Sequence, residues 1–361
     1  MKIGIIGAGI IGRLLAIEFS KYNYQITLFE KDDMNSSQSS CATAAGMLNP
    51  WSEINESTAL VFELGVLSLT HWQEVTQKIA APEMLFHCGS VHVSSYGDKA
   101  KLDHLLKNLL NKQENFYCIP LDNSLKKQLF NKTNSNYPYG FYLPDEKCLD
   151  PQLFIKKSND YFRKNNNINF CYDTTVLKFS QNTISSENKT EYFDLVLNTT
   201  GYHGKSDLNN TLRGVRGSLI LVEAPQVNLQ SIVRLGHLRY PIYIVPRGQN
   251  KYIIGATTHE TECKKPMTVE ANLELLSTAC QFDPGFLEAH ILEQRVNLRP
   301  AFASGEPKIQ RKNNVYFING LYRHGITISP IISHYFCEFI HNDFKLPSHL
   351  NYSIWDRLWN I

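Results

Sequence analysis

The feature that most restricts what this chain can fold into stands at its beginning. Ile3 to Ile6 is a short apolar run and reads as a buried strand. Gly7-Ala8-Gly9-Ile10-Ile11-Gly12 follows it, then Leu14-Leu15-Ala16-Ile17-Glu18-Phe19 with helical character, then Gln25 to Glu30 as a second strand. A G-x-G-x-x-G alone is weak. Set between a strand and a helix, with an acid closing the next strand, it describes a dinucleotide cradle in a parallel βαβ unit. Each part has a physical task. Gly7 permits the tight turn, Gly9 lets the backbone approach a pyrophosphate, and Gly12 lets helix and strand pack closely. The helix N-terminus offers unpaired N–H groups and a partial positive charge to phosphate. Glu30 can accept from both ribose hydroxyls, and its charge disfavours a 2′-phosphate.

The 361 residues suit two domains better than one, and 43% hydrophobic content supports a sizeable core. With 36 Lys+Arg against 34 Asp+Glu, the net charge of +2 gives no electrostatic case for nucleic acid as a partner. The eight cysteines include no C-x-x-C pair, which argues against a zinc ribbon and a disulfide framework and for reduced thiols in a cytoplasmic setting. No apolar run has the roughly 18 residues of a spanning helix. The glycines and Arg13 in the first apolar stretch argue against a signal peptide.

Further along, Ser36 to Ala45 reads as a loop and Ser57 to Lys78 as a helix. Residues 86–95 alternate as a strand, and residues 100–136 are polar with helical patches such as Leu102 to Leu110. Pro151 to Arg163 and Val269 to Cys280 have helical spacing. Strands are expected at Val176 to Phe179, Tyr192 to Asn198, Gly217 to Glu223, Tyr240 to Val245, Tyr252 to Ala256 and Val315 to Asn319. Ile331 to Ile340 reads as the last amphipathic helix. Between that last strand and helix lies Asn319-Gly320-Leu321-Tyr322-Arg323-His324-Gly325, a second strand–glycine–helix junction. A long dinucleotide such as FAD can recruit a distant junction of this kind, whose helix N-terminus would stabilise negative charge on a reduced flavin.

Several segments together resemble the D-amino acid oxidase family of FAD-dependent oxidoreductases, and within it the glycine oxidases of thiamine biosynthesis. They are Gly7 to Gly12 with Glu30; Ser40-Cys41-Ala42-Thr43-Ala44-Ala45-Gly46-Met47-Leu48; Asp194 to Gly201; Val215-Arg216-Gly217; Tyr243 to Arg247 with Ile254 to Thr257; Leu298-Arg299-Pro300-Ala301; and Gly320 to Gly325. The resemblance implies an α/β fold: a Rossmann-like FAD-binding domain over residues 1–80, 146–212 and 300–361. A mixed-sheet substrate domain would be inserted as 81–145 and 213–299. It implies non-covalent FAD and no metal. Ile10 and Ile11 match positions beside the pyrophosphate, and Glu30 and Lys31 the adenosine ribose site. Ser40, Cys41, Ala45, Gly46 and Met47 match the segment beside the flavin. Val176 matches an adenine contact, and Gly201 belongs to the middle motif. Leu321, Tyr322, Arg323, His324, Gly325, Ile326 and Thr327 match the flavin-ring junction. Arg299 matches the arginine that pairs with the substrate carboxylate, assisted by Tyr243, with Arg323 at the same end. Departures from the family pattern are Ser304-Gly305-Glu306-Pro307, Gln310 and His324.

The implied reaction is oxidative deamination of glycine, sarcosine or a small D-amino acid, with O2 reduced to hydrogen peroxide and the imine supplied to thiazole synthesis. A planar guanidinium grips a carboxylate at two points, so one arginine can orient a small acid. Positioning then carries most of the rate, and no acid–base dyad is expected. Three alternatives stay open: an FAD enzyme with similar motifs that removes a carboxymethylaminomethyl group from tRNA wobble uridine, an amino acid dehydrogenase using an acceptor other than O2, and a flavin-binding protein without enzymatic activity. The expected partners are a small amino acid and O2, with no membrane; relatives are often tetramers, so a homo-oligomer is expected.

Overall fold

The computed structural model describes residues 1–112, 116–130, 136–187, 189–236 and 241–359. A six-stranded sheet has the order Lys308–Lys312, Val315–Asn319, Leu195–Asn198, Lys2–Ile6, Gln25–Phe29, Ile168–Cys171. Only the first of these runs antiparallel to its neighbour. The inner strands bury nearly every side chain, which is why they read as unbroken apolar runs. Helices Ile10–Phe19, Ala59–Lys78 and Gly325–His341 pack on one another and share a core with the strands. The second is capped by Thr58, whose hydroxyl accepts from the Val61 N–H at 3.4 Å. Helix Pro151–Lys164 starts with Pro after the cap residue Asp150, whose carboxylate accepts from Gln152 and Leu153 N–H.

An eight-stranded sheet forms the second layer system, with His290–Ala301 on one edge and Arg213–Glu223 beside it. Helix Val269–Phe282 covers one of its faces. Among the described residues there are two further sheets, each three-stranded. The smaller strands Met47–Leu48, Leu85–Phe86 and Lys147–Leu149 form one of them, and Met47 also lines the large cavity. No described helix is long and apolar enough to cross a membrane.

Several elements differ from the sequence reading. The stretch 86–95 divides at Gly89, whose φ of +61° turns the chain from one sheet into another. Tyr192 to Asn198 likewise divides, into Thr190–Tyr192 and Leu195–Asn198 of different sheets. Helix Asn123–Phe130 is a second of the helical patches expected in 100–136, whereas helix Tyr352–Leu358 and the twelve-residue strand His290–Ala301 were not anticipated. Tyr240 lies outside the described residues, and its strand runs Ile242–Pro246. The last long helix begins at Gly325 and runs through Pro330. Proline removes the hydrogen bond to the carbonyl four residues before it. That carbonyl, of Ile326, accepts instead from the indole N–H of fully buried Trp72 at 2.9 Å.

Candidate active site

The glycine turn leaves the C-terminal end of the Lys2–Ile6 strand, where the sheet has neighbours leading away on both sides. Gly7 has φ +98° and anchors through its N–H to Phe29 O at 2.8 Å. A Cβ on Gly12 would lie 2.0 Å from Gly7 O, so the turn and helix can meet only there without a side chain. A Cβ on Gly9 would meet nothing within 4 Å. It would stand in the open cavity, where a phosphate can instead approach the backbone. No side chain caps this helix, so its first N–H groups remain available. Glu30 braces the turn as well as lining the cavity: its carboxylate accepts from Ala8 N–H at 2.7 Å and Asp32 N–H at 3.1 Å.

The cavity, about 420 Å³, runs from Glu30, Lys31 and Val176 past the cradle to Arg299 and Tyr243. It therefore has the reach a dinucleotide plus a small ligand requires. Gly7, Gly9, Ile10, Ile11, Ser40, Cys41, Ala45, Gly46, Met47 and Gly201 all line it. So do Leu321, Tyr322, Arg323, Gly325, Ile326 and Thr327 from the distant junction. Two expected contact residues do not. Gly12 is turned against Gly7 and Thr199, and His324 is buried beneath the junction. The junction is held open by Gly320 at φ +77°, where a Cβ would meet the Phe302 ring at 2.1 Å. Thr327 Oγ1 donates to Met47 O at 3.1 Å, which ties this junction to the Ala45–Met47 segment. Burial pushes the Cys41 thiol up to about 12, with Arg13 only partly opposing it, so this cysteine is an inert wall.

One residue has a structural role that the sequence reading did not assign to it. Arg13, fully buried directly after the last glycine, donates to Ala8 O, Met34 O, Ser36 Oγ, Ser158 Oγ and Asn159 Oδ1 at 2.7 to 3.1 Å. Burial lowers it to about 10, with the Glu30 carboxylate among the groups opposing that fall. It staples the glycine turn to the next loop and to helix Pro151–Lys164. A buried arginine with no nearby acid in sequence leaves no pattern, because its partners are mostly backbone carbonyls and hydroxyls.

At the other end, strand His290–Ala301 sets Arg299 opposite Val215 in the antiparallel ladder. Arg299 Nη1 donates to Thr257 O at 3.1 Å and Thr258 Oγ1 at 3.3 Å, and among the described residues no carboxylate pairs with it. Its guanidinium lies across Gly217, where a Cβ would come within 2.4 Å of Cζ. Burial raises the Tyr243 phenol above its usual range against the charge of nearby Arg299, so the hydroxyl stays a donor. The same strand holds the Ser36 to Ala45 loop: Ser40 Oγ donates to Leu298 O at 2.9 Å, and Asn297 Nδ2 to Gln38 O at 2.9 Å.

A charged cluster absent from the sequence reading borders this end. Glu53 Oε1 lies 3.1 Å from Arg234 Nη1, and its Oε2 lies 2.9 Å from His324 Nδ1 and 3.7 Å from Arg323 Nε. Arg323 also pairs with Glu56. Burial alone would raise the Glu53 carboxyl, but the Arg323 charge, the His324 hydrogen bond and the Arg234 charge together hold it well below the usual range. Glu53, Arg234 and Arg323 line the cavity.

Residues 2–339 match the family model for FAD dependent oxidoreductases, DAO. A Rhizobium etli protein carrying the name thiamine biosynthesis oxidoreductase ThiO is 28% identical over 333 residues, 92% of this chain and 94% of that one. The glycine oxidase of Geobacillus kaustophilus is 23% identical over 357 residues, 91% of this chain and 90% of its own. The crystal structure of that glycine oxidase superposes with a TM-score of 0.81 at 20% identity, covering 97% of this chain and 99% of its own. Iminodiacetate oxidase from Chelativorans sp. BNC1 gives 0.84 at 18%, covering 99% and 98%. The glycine cradle, the long cavity and the distant junction accord with a match spanning nearly the whole chain: this protein belongs to the DAO family of FAD-dependent oxidoreductases.

Proposed function

We propose that this enzyme oxidises glycine or a similarly small amine-bearing acid to the imine, passes the electrons to O2, and supplies the imine for the thiazole of thiamine. The observation that carries the substrate class is Arg299. It is a guanidinium without a carboxylate partner among the described residues, beside a protonated Tyr243, in the same cavity as the dinucleotide cradle. The names of the Rhizobium and Geobacillus relatives support the glycine and thiamine readings.

When bound, FAD supplies a two-electron acceptor. The cradle Gly7 to Gly12, Glu30 and Lys31 would hold its adenosine diphosphate part. The Ala45–Met47 segment and the Leu321–Thr327 junction would hold its ring. Arg299 and Tyr243 grip the carboxylate and thereby fix the direction of the α-C–H bond. Gly217 keeps the space under the guanidinium free. We assign the six-stranded sheet with its helices to the cofactor and the eight-stranded sheet to the substrate.

An anaerobic panel of glycine, sarcosine, D-alanine and larger amines tests this. The panel follows bleaching of the flavin band and then its return in air. Glycine should bleach it, and air should restore it with release of peroxide. Slow return in air but rapid return with a quinone would instead favour a dehydrogenase. Arg299→Ala should raise KM for glycine by about 100-fold or more while the yellow cofactor stays bound, since a charge-assisted pair is lost. An unchanged KM removes Arg299 from the pocket.

A further inference from the structure

Resting on the amino acid reading above, we propose that Glu53 receives the substrate amine in the cavity that Arg299 also lines. The cavity's other acidic lining residues include Glu30 and Asp32 near the ribose end, and Asp207 beside Asn198. Glu53 instead contacts Arg323 and His324 of the turn that packs on the strand holding Arg299. Both Tyr243 and Tyr322, which line the cavity, feel the charges of Arg299 and of Glu53. Both tyrosines are thus near Arg299, which has no carboxylate partner among the described residues, and near a carboxylate that lines the same cavity. An α-amino acid has complementary groups at its two ends.

The surroundings of Glu53 suit an amine that must shed its proton. A carboxylate alone would favour the ammonium form and hold the nitrogen charged. Glu53 is instead shared with Arg234 on the substrate sheet and with Arg323 at the junction, and it contacts His324. These cations keep it ionised and fixed while offsetting its pull on a proton. An ionised carboxylate has about four acceptor positions, and Arg234 and His324 take two by hydrogen-bond distance. Capacity remains for an amine N–H. The arrangement also gives a reason for histidine at position 324: its Nδ1 anchors Glu53 from below the cavity.

The test compares two ligands that differ only in this group. Glycine has the amine, and glycolate has a hydroxyl in its place and keeps the carboxylate. Dissociation constants of both are read anaerobically, on wild-type holoenzyme and on Glu53→Gln, from perturbation of the flavin spectrum or, for glycine, its bleaching. Glu53→Gln should weaken glycine by about 10- to 100-fold, the worth of one hydrogen bond to a charged group. It should leave glycolate unchanged or tighter, because a negative charge near a carboxylate has gone. Arg299→Lys, the control, should weaken both. Glu53→Asp, which keeps the charge on a shorter stem, should recover part of the glycine affinity. Equal weakening of both ligands in Glu53→Gln, or no change in either, overturns the proposal. If wild-type holoenzyme is bleached by no amine at all, the amino acid reading fails and this inference falls with it.

Discussion

At the scale of single residues, the site depends on what is left out as much as on what is present. Gly217 is the clearest case, since Arg299 occupies the space its side chain would take. Gly217→Ala should therefore fold, because the end of a flexible arginine can yield. It should raise KM for glycine by about 10-fold or more as the guanidinium moves off its Thr257 anchor. Steady-state kinetics with a parallel FAD titration checks this, and FAD affinity should not change. His92 makes a second residue-scale prediction. It is buried, stacked on Phe141, and 2.7 Å from Ser52 Oγ. Burial and then Arg234 hold it well below its ordinary value, with Glu53 opposing. The unfolded chain takes up that proton near pH 6.5 and the folded chain does not. This contribution to stability is thus full above about 6.5 and falls as pH drops, by up to about 1.4 kcal/mol per pH unit. His92→Gln should flatten the fall in Tm between pH 6.5 and 5.

At the scale of elements, legibility followed the strength of local pattern. The βαβ start was plain because a strand, a glycine turn, a helix and an acid all agree within one short stretch. Helices Ala59–Lys78 and Pro151–Lys164 were plain for their helical spacing. Strand His290–Ala301 was opaque because it is an edge strand whose first half is exposed on both faces, so its residues do not alternate. That strand holds Arg299, so this residue was singled out by family likeness and not by its setting. The Glu53–Arg234–Arg323 cluster was opaque for another reason: its members come from three separate segments, and only the fold brings them together. The early start of helix Gly325–His341 was hidden by Pro330, whose cost is offset from outside the helix. Trp72→Phe should accordingly leave Ile326 O unpaired and lower stability by about 1–3 kcal/mol. Denaturant unfolding checks this, and a loss below about 0.5 kcal/mol would show that the carbonyl finds another donor.

At the scale of the whole molecule, the cavity belongs to both sheet systems. Its cradle comes from one, Arg299 and Tyr243 come from the other, and Glu53 touches residues of each. FAD should therefore stabilise the entire chain as one unit. With free FAD at about a thousand times Kd, the gain is about 4 kcal/mol, read as a single Tm rising with FAD concentration. Two separate transitions, of which only one responded, would mean that the sheets unfold independently.

The hydrogen bonds from Ser40 and Asn297 that join the cavity-lining Ser36 to Ala45 loop to the Arg299 strand carry one more consequence. Anything that steadies that loop also steadies the strand behind it, and the reverse holds by the same free energy. A chain that has lost its flavin would then have a slack grip on acids too. A small carboxylate in the pocket would slow the escape of the flavin even though the two molecules exchange no electrons.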